Sequence, residues 1–304
     1  LKKPKNPYIV GEKPCLVAAH RGGSLLNPEN TLKAFEYCVE NHRRFQVDFF
    51  ELDLHLTADD QLILCHDDEL DRCTDSEKIF GKSGILVREK TYAQLRLLNF
   101  GANFQAQDGS YPYRDLTEVP DNLRALRFTD LLDYLESAAK GRYRYIIDVK
   151  HGEDDGRLGA DKLLEILKAY GLMERVIFGS LKNEITRYVT KKYPELPRSA
   201  GINETIWFYL RSLIGIPMSK KRLKYIALQV PTSYKNIQMD LVRFVKFCHK
   251  HNLSAQYWTI NDREEMRKLL ALGADVLMGD LPDVIFEEVH GITLPTTAAR
   301  SLQE

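Results

Sequence analysis

The sequence predicts an α/β protein, a (β/α)8 barrel with a small insertion after the second strand and its hairpin extension. Two observations carry this. Eight short apolar runs of strand length alternate with stretches of helical period almost throughout the chain. No G-x-G-x-x-G follows any of those runs, so the fingerprint of a doubly wound dinucleotide-binding sheet is missing. A length of 304 residues is within the range of one such barrel, and residues 1–304 read as a single domain.

The predicted strands are, in order, 15–20 (CLVAAH), 49–56 (FFELDLHL), 143–150 (YRYIIDVK), 176–181 (VIFGSL), 198–203 (RSAGIN), 225–230 (YIALQV), 254–260 (SAQYWTI) and 275–280 (DVLMGD). Helical patterns between them include NTLKAFEYCVENH, FTDLLDYLESAAK, ADKLLEILKAYG and REEMRKLLALG. Two of these close on a glycine, as helix C-termini often do, and Asn30 precedes the first as an N-cap candidate. Residues 61–66 (QLILCH) follow the second strand after only TADD, which reads as a hairpin. Residues 67–125, rich in Asp, Gly, Tyr and Pro, then break the rhythm and read as an insertion over one end of the barrel. The end of the chain, 292–304, reads as a flexible tail.

Composition narrows the partners. Lys+Arg and Asp+Glu both total 43, so the net charge is zero and no nucleic-acid or other polyanion partner is implied; recognition of phosphate must be local. The five cysteines are odd in number and lack C-x-x-C spacing, which argues against a disulfide framework or a zinc ribbon. Cys65 adjoins His66, but neighbours on a strand point to opposite faces, so it reads as structural. No run approaches the roughly 18 apolar residues of a membrane span. The chain opens on Leu1 and KKPKNP, which is compatible with an upstream signal or anchor, and with a cytoplasmic or a membrane-associated location.

The chemistry concentrates at strand ends. On the second strand, alternation sets Glu51, Asp53 and His55 on one face, and Phe50, Leu52, Leu54 and Leu56 on the other. With the leucines against the helices, the acids point into the barrel, where unpaired carboxylates carry a large desolvation and repulsion cost. Either a divalent cation or basic side chains must compensate them. Hard oxygen donors favour Mg²⁺ or Ca²⁺ over Zn²⁺. The third strand repeats the pattern with Asp148 and Lys150, so a buried ion pair from Lys150 to Glu51 or Asp53 is the metal-free alternative. His20 ends the first strand and His66 the hairpin, and two histidines beside a carboxylate cluster suit acid/base work near neutral pH. Arg21 offers a forked donor to phosphate, and Gly22-Gly23 let the backbone approach a ligand. Pro28-Glu29-Asn30-Thr31 opens the first helix, with Glu29 as a brace for the site.

These residues carry a resemblance. AHRGGSLLNPENT, ELDLHLT with LILCHD, IIDVK, YWTIND and ADVLMGDLP together resemble the glycerophosphodiester phosphodiesterase family, in order and over nearly the whole chain. The resemblance implies a TIM barrel with a small inserted segment and one bound Mg²⁺ or Ca²⁺. It implies Glu51, Asp53 and Asp148 as metal ligands, and His20 and His66 as the acid/base pair. Arg21 and Lys150 match phosphate-binding positions, and Trp258 stands where an aromatic lines the pocket. Two departures from the family pattern stand out: Asp148 replaces the usual glutamate, one methylene longer, and Gly279 stands where threonine is usual.

The implied reaction is metal-dependent hydrolysis of a glycerophosphodiester to glycerol 3-phosphate and an alcohol, with one of His20 and His66 as base and the other as acid; His20 as base is the assignment favoured here over the reverse. Lysophospholipase D action on a single-chain lipid is the alternative within the same chemistry. An inactive barrel that only binds phosphodiesters is the non-enzyme reading, and the intact set His20, Glu51, Asp53 and His66 argues against it. Residues 205–225 bear on the substrate. Ile206, Leu210, Leu213 and Ile214 recur at helical spacing, which favours a core-facing barrel helix. Trp207, Phe208 and Ile216 fall outside that stripe and Lys220, Lys221, Arg222 and Lys224 follow, which suits peripheral contact with a lipid surface.

Overall fold

The computed structural model describes residues 6–219, 221–235 and 237–294. In chain order the elements are β1 (Leu16–Ala19), α1 (Leu32–Glu40), β2 (Phe49–Leu56), β3 (Leu62–Leu64), α2 (Ser76–Phe80), α3 (Tyr92–Leu95), α4 (Phe128–Ala139), β4 (Arg144–Val149), α5 (Glu153–Ala169) and β5 (Val176–Gly179). They continue with α6 (Asn183–Lys192), α7 (Ile202–Ile214), β6 (Ala227–Val230), β7 (Ser233–Tyr234), β8 (Ile237–Gln238), α8 (Val242–Lys250), β9 (Ser254–Tyr257), α9 (Arg263–Leu272), β10 (Val276–Gly279) and α10 (Pro282–His290). Seven parallel strands run β5-β4-β2-β1-β10-β9-β6, and β3 pairs antiparallel with β2 as the expected hairpin.

The ring closes through its thinnest stave. Arg198 bridges Phe178 and Ser199 bridges Ala227, both parallel, so residues 198–199 join β5 to β6 and complete an eight-stave barrel. The strand predicted over 198–203 is therefore cut short: Ile202 and Asn203 already open α7. Arg198 explains the early break, because its guanidinium forks onto Glu204 of α7 at 2.7 and 2.8 Å and pulls that helix onto the stave. The first helix also starts later than Asn30. Its N-cap is Thr31, while Asn30 takes a left-handed φ of 55° and spends its amide on Asp53 instead.

Side chains fill the barrel in layers. At the closed end, Tyr8, Ala18, Phe49, Ile146, Ile177, Ala227 and Val276 form an apolar plug, with the Tyr8 and Phe49 rings 5.5 Å apart. Asn6 fastens the segment that carries Tyr8, donating to Ile226 O at 2.7 Å. Phe50, Leu52, Leu54 and Leu56 face outward into the helix-packed core, as alternation along β2 requires. Glu51 and Asp53 consequently sit one and two steps above the plug, inside the ring. Between β3 and α4 the chain builds a small cluster of its own, Leu70, Ile85, Val87, Leu95, Leu98 and Phe100 against Ile63 and Cys65. All five cysteines are free. Burial pushes the Cys65 thiol up to about 12, which fits a structural residue. The tail expected over 292–304 lies, from residue 295 on, outside the described residues.

α7 departs from the expected orientation, and of the predicted core stripe Leu213 alone packs against the core. Phe208 is 0% exposed and packs its ring against Phe247, Phe244 and Tyr225, whereas Ile206, Leu210 and Ile214 face solvent. Trp207, next to Phe208 in sequence, is 64% exposed. Phe208→Ala should therefore cost about 3–5 kcal/mol of stability. Trp207→Ala should change it by no more than about 0.5 kcal/mol. Urea unfolding of the two variants checks this, and equal losses would show that the two residues share the core.

Candidate active site

The staves end at one rim, and the polar residues expected there converge on it. A cavity of about 120 Å³ is lined by His20, Arg21, Glu51, Asp53, His66, Asp148, Lys150 and Trp258. These are the eight residues expected as acid/base pair, phosphate or pocket contacts and metal ligands, so the fold brings that set together, while His55 packs aside against His151. Strand register explains part of this: Asp53 lies beside Asp148 on the paired strands β2 and β4, with both side chains on the inner face. Just beyond β1, residues 20–22 form a tight turn in which Arg21 adopts φ 51° and Gly22 φ 84°. That turn directs the Arg21 N–H at Glu51 Oε2, 3.0 Å away.

The charges are unevenly compensated. Lys150 Nζ lies 2.7 Å from both Asp53 Oδ1 and Asp148 Oδ2, and Arg21 Nε lies 3.3 Å from Asp53 Oδ2. Asn30 donates to the same Asp53 oxygen at 3.0 Å. Burial alone would raise the Asp53 carboxyl, but Lys150 and Arg21 hold it below the ordinary range. The ion pair considered for Lys150 thus forms with Asp53 and extends to Asp148. Glu51 receives no such partner among the described residues: its side-chain counterpart is His20 Nε2, 3.9 Å away. Burial and the neighbouring Asp53 push Glu51 up to about 7. Asp148 Oδ1 is also buried without a hydrogen-bond partner. Glu51 and Asp148 Oδ1 are thus hard oxygen donors left over after the available cations are used, but with Asp53 they do not draw to within 4.8 Å of one another; among the described residues the group that does is His55, Asp68 and His151.

Each histidine is held by a carboxylate that the sequence reading did not single out. His20 Nδ1 donates to Asp280 Oδ1 at 2.6 Å, which leaves Nε2 facing Glu51. Asp280 is in turn fixed by Ser24 Oγ and by Asn261 Nδ2. Burial opposes the charge on His20, but Glu51 and Asp280 overcome it and raise its pKa. Burial would likewise raise Asp280, yet its hydrogen bond from His20 brings it down to about 2. His66 Nδ1 donates to Asp67 Oδ1 at 2.6 Å. Arg72 clamps Asp67 and forks onto Glu29 at 2.7 and 2.8 Å, and Glu29 accepts from Arg21 Nη1 at 3.0 Å. One ionic chain, Arg21–Glu29–Arg72–Asp67–His66, therefore ties the two histidine loops together. Glu29 braces the site as its position suggested. Polar tips on the last strand (Asp280) and beside His66 (Asp67) were the signals for the missing partners.

The cavity thus gathers two cationic side chains, Arg21 and Lys150, and two imidazoles, His20 and His66, around one space. The family model described as the glycerophosphoryl diester phosphodiesterase family matches residues 20–284. The chain belongs to this family. A glycerophosphodiester phosphodiesterase of Caldanaerobacter subterraneus is 27% identical over 275 residues, 90% of this chain and 98% of that protein. Human lysophospholipase D GDPD1 is 23% identical over 295 residues, 90% of this chain and 86% of the relative. Among solved structures, an Oleispira antarctica phosphodiesterase in complex with the product sn-glycerol-3-phosphate superposes with a TM-score of 0.69. It is 20% identical, and the match covers 91% of this chain and 97% of that one. A glycerophosphodiester phosphodiesterase from Agrobacterium tumefaciens matches at a TM-score of 0.63 and 19% identity, over 89% of this chain and 98% of that one. Membership in the family carries phosphodiester hydrolysis on a small-molecule glycerophosphodiester. No helix among the described residues is long and apolar enough to cross a membrane.

Asp280→Asn tests the support of His20. The amide keeps the shape and removes the charge, so kcat should fall by about 10²-fold, the lower range for acid/base assistance, with KM unchanged. A rise in KM with kcat intact would assign Asp280 to substrate binding instead.

Proposed function

We propose that the protein hydrolyses glycerophosphodiesters to glycerol 3-phosphate and an alcohol, with His20 and His66 as the acid/base pair. A divalent cation, Mg²⁺ or Ca²⁺, would be held by Glu51, Asp53 and Asp148. The observation that carries this reading is Glu51, a carboxylate that burial and the neighbouring Asp53 push up to about 7, together with Asp148 Oδ1, buried without a hydrogen-bond partner. Asp148 is one methylene shorter than the glutamate usual in the family, so its ligation is the weakest of the three. When bound, the cation supplies positive charge to the non-bridging phosphate oxygens. In the same reading residues 67–125 form an insertion within a single catalytic domain of residues 1–304, and supply Asp67 and Arg72 to the site.

The residues divide the work by position. Arg21 and Lys150 orient the phosphate and offset charge as it builds at phosphorus. His20 is 13% exposed and stands beside Glu51 at the floor of the cavity, which suits removal of a proton from the nucleophile, water or the glycerol 2-hydroxyl. His66 is 33% exposed and opens toward a neighbouring groove of about 490 Å³, which suits protonation of the departing alcohol. Trp258 lines the cavity as an apolar wall for the glycerol carbons. A second reading, lysophospholipase D activity, is favoured by Leu181, which is 55% exposed where the cavity meets that groove. A panel running from glycerophosphocholine to lysophosphatidylcholine separates the two.

Excess EDTA should abolish hydrolysis and added Mg²⁺ or Ca²⁺ should restore it, while Glu51→Gln should be inactive with its fold intact by circular dichroism. Full activity in chelator would remove the cation from the mechanism. His20→Ala and His66→Ala should each lower kcat by about 10²- to 10⁴-fold. A p-nitrophenyl phosphodiester, whose leaving group needs no proton, should partly rescue His66→Ala and leave His20→Ala impaired. The reverse pattern would exchange the two roles.

A further inference from the structure

The outer face of α7 is independent of the catalytic cavity, and its chemistry is unusual for a barrel helix. Ile202, Ile206, Leu210 and Ile214 succeed one another at four-residue intervals and are 42% to 67% exposed. Trp207 stands beside them, and Ile216 extends the strip past the helix end at 47% exposed. The opposite face, Phe208, Tyr209 and Ser212, already satisfies the core. The strip is thus apolar surface left over after packing, and its extent is larger than scattered surface residues account for.

Basic residues border it. Lys221, Arg222 and Lys224 are exposed on the segment that returns from α7 to β6, and none of them is among the ion pairs of the described residues. Between the helix and that segment lies a cavity of about 730 Å³, lined by Trp207, Arg211, Met218, Arg222 and Tyr225 among others. The Tyr225 hydroxyl is buried there with no hydrogen-bond partner. An apolar strip edged by cations, with a hollow that combines two guanidiniums, a phenol and an indole, complements the acyl region and phosphate headgroups of an anionic bilayer.

We infer that α7 with residues 216–219 and 221–225 forms a peripheral docking surface for anionic phospholipid bilayers, with a lipid phosphate seated between Arg211 and Arg222. The strip enters the interface while Lys221 and Lys224 stay at headgroup level. Arg198 and Glu204, paired at the start of α7, hold the helix rigidly against the barrel so that the strip is presented without unfolding.

Co-sedimentation of the full chain with vesicles tests this. Binding is expected to phosphatidylcholine vesicles containing phosphatidylglycerol, weakly to phosphatidylcholine alone, and to fall as salt rises. Removing Lys221, Arg222 and Lys224 one at a time should weaken binding by about fivefold each. Ile206→Ser combined with Leu210→Ser and Ile214→Ser should abolish it, while circular dichroism and the melting temperature stay unchanged because those side chains are exposed. Failure to bind anionic vesicles, or equal binding by the serine variant, would overturn the inference. So would a concentration-dependent dimer in analytical ultracentrifugation that the serine variant dissolves, since a second copy would then cover the strip.

Discussion

Two carboxylates buried inside the ring, Glu51 and Asp53, impose conditions that the surrounding residues meet in turn. Each lost its hydration when β2 joined the barrel, a cost of several kcal/mol per ion unless something charged or strongly polar replaces water. Asp53 is met by Lys150, Arg21 and Asn30, which is why the turn after β1, the loop before α1 and the end of β4 all bend toward one point. Glu51 is met by a single backbone N–H and a histidine at a distance. The asymmetry matters more than the number of contacts. A barrel can hide one acid behind a lysine, but the second keeps the site electrostatically open to a positively charged visitor.

The strands and the polar lining were legible because both rest on a local rule. Side chains alternate along a strand, so Glu51 and Asp53 had to share a face opposite Leu52 and Leu54 whatever the rest of the chain did. His20, at the end of a parallel stave, had to lie at the rim, whereas His66 reaches it from the antiparallel hairpin strand β3. The partners of those histidines were less accessible to such reasoning. Asp280 reaches His20 because β10 lies beside β1, and Arg72 reaches Glu29 because the segment after β3 folds back over the rim. Both are consequences of topology rather than of spacing along the chain.

α7 shows the limit of periodicity as a guide. A repeating apolar stripe marks one face of a helix but does not say which face the protein covers. The chain has two apolar faces here, and the bulkier ring of Phe208 occupies the core beside Phe244 and Phe247. The other face was left outside. The short stave at 198–199 has a related cause: a bidentate arginine–glutamate pair starts α7 three residues after the last bridge, earlier than the apolar run alone would end a strand.

The hydrogen bond between His20 and Asp280 spans 260 residues, joining the first stave to the last. Its formation is therefore a report on the whole chain. Loop-closure entropy must be overcome over nearly the full length before this contact can hold, and contacts of such separation belong to the slow, late part of folding. A chain in which β10 has not yet paired with β1 therefore lacks the Asp280 contact that orients His20.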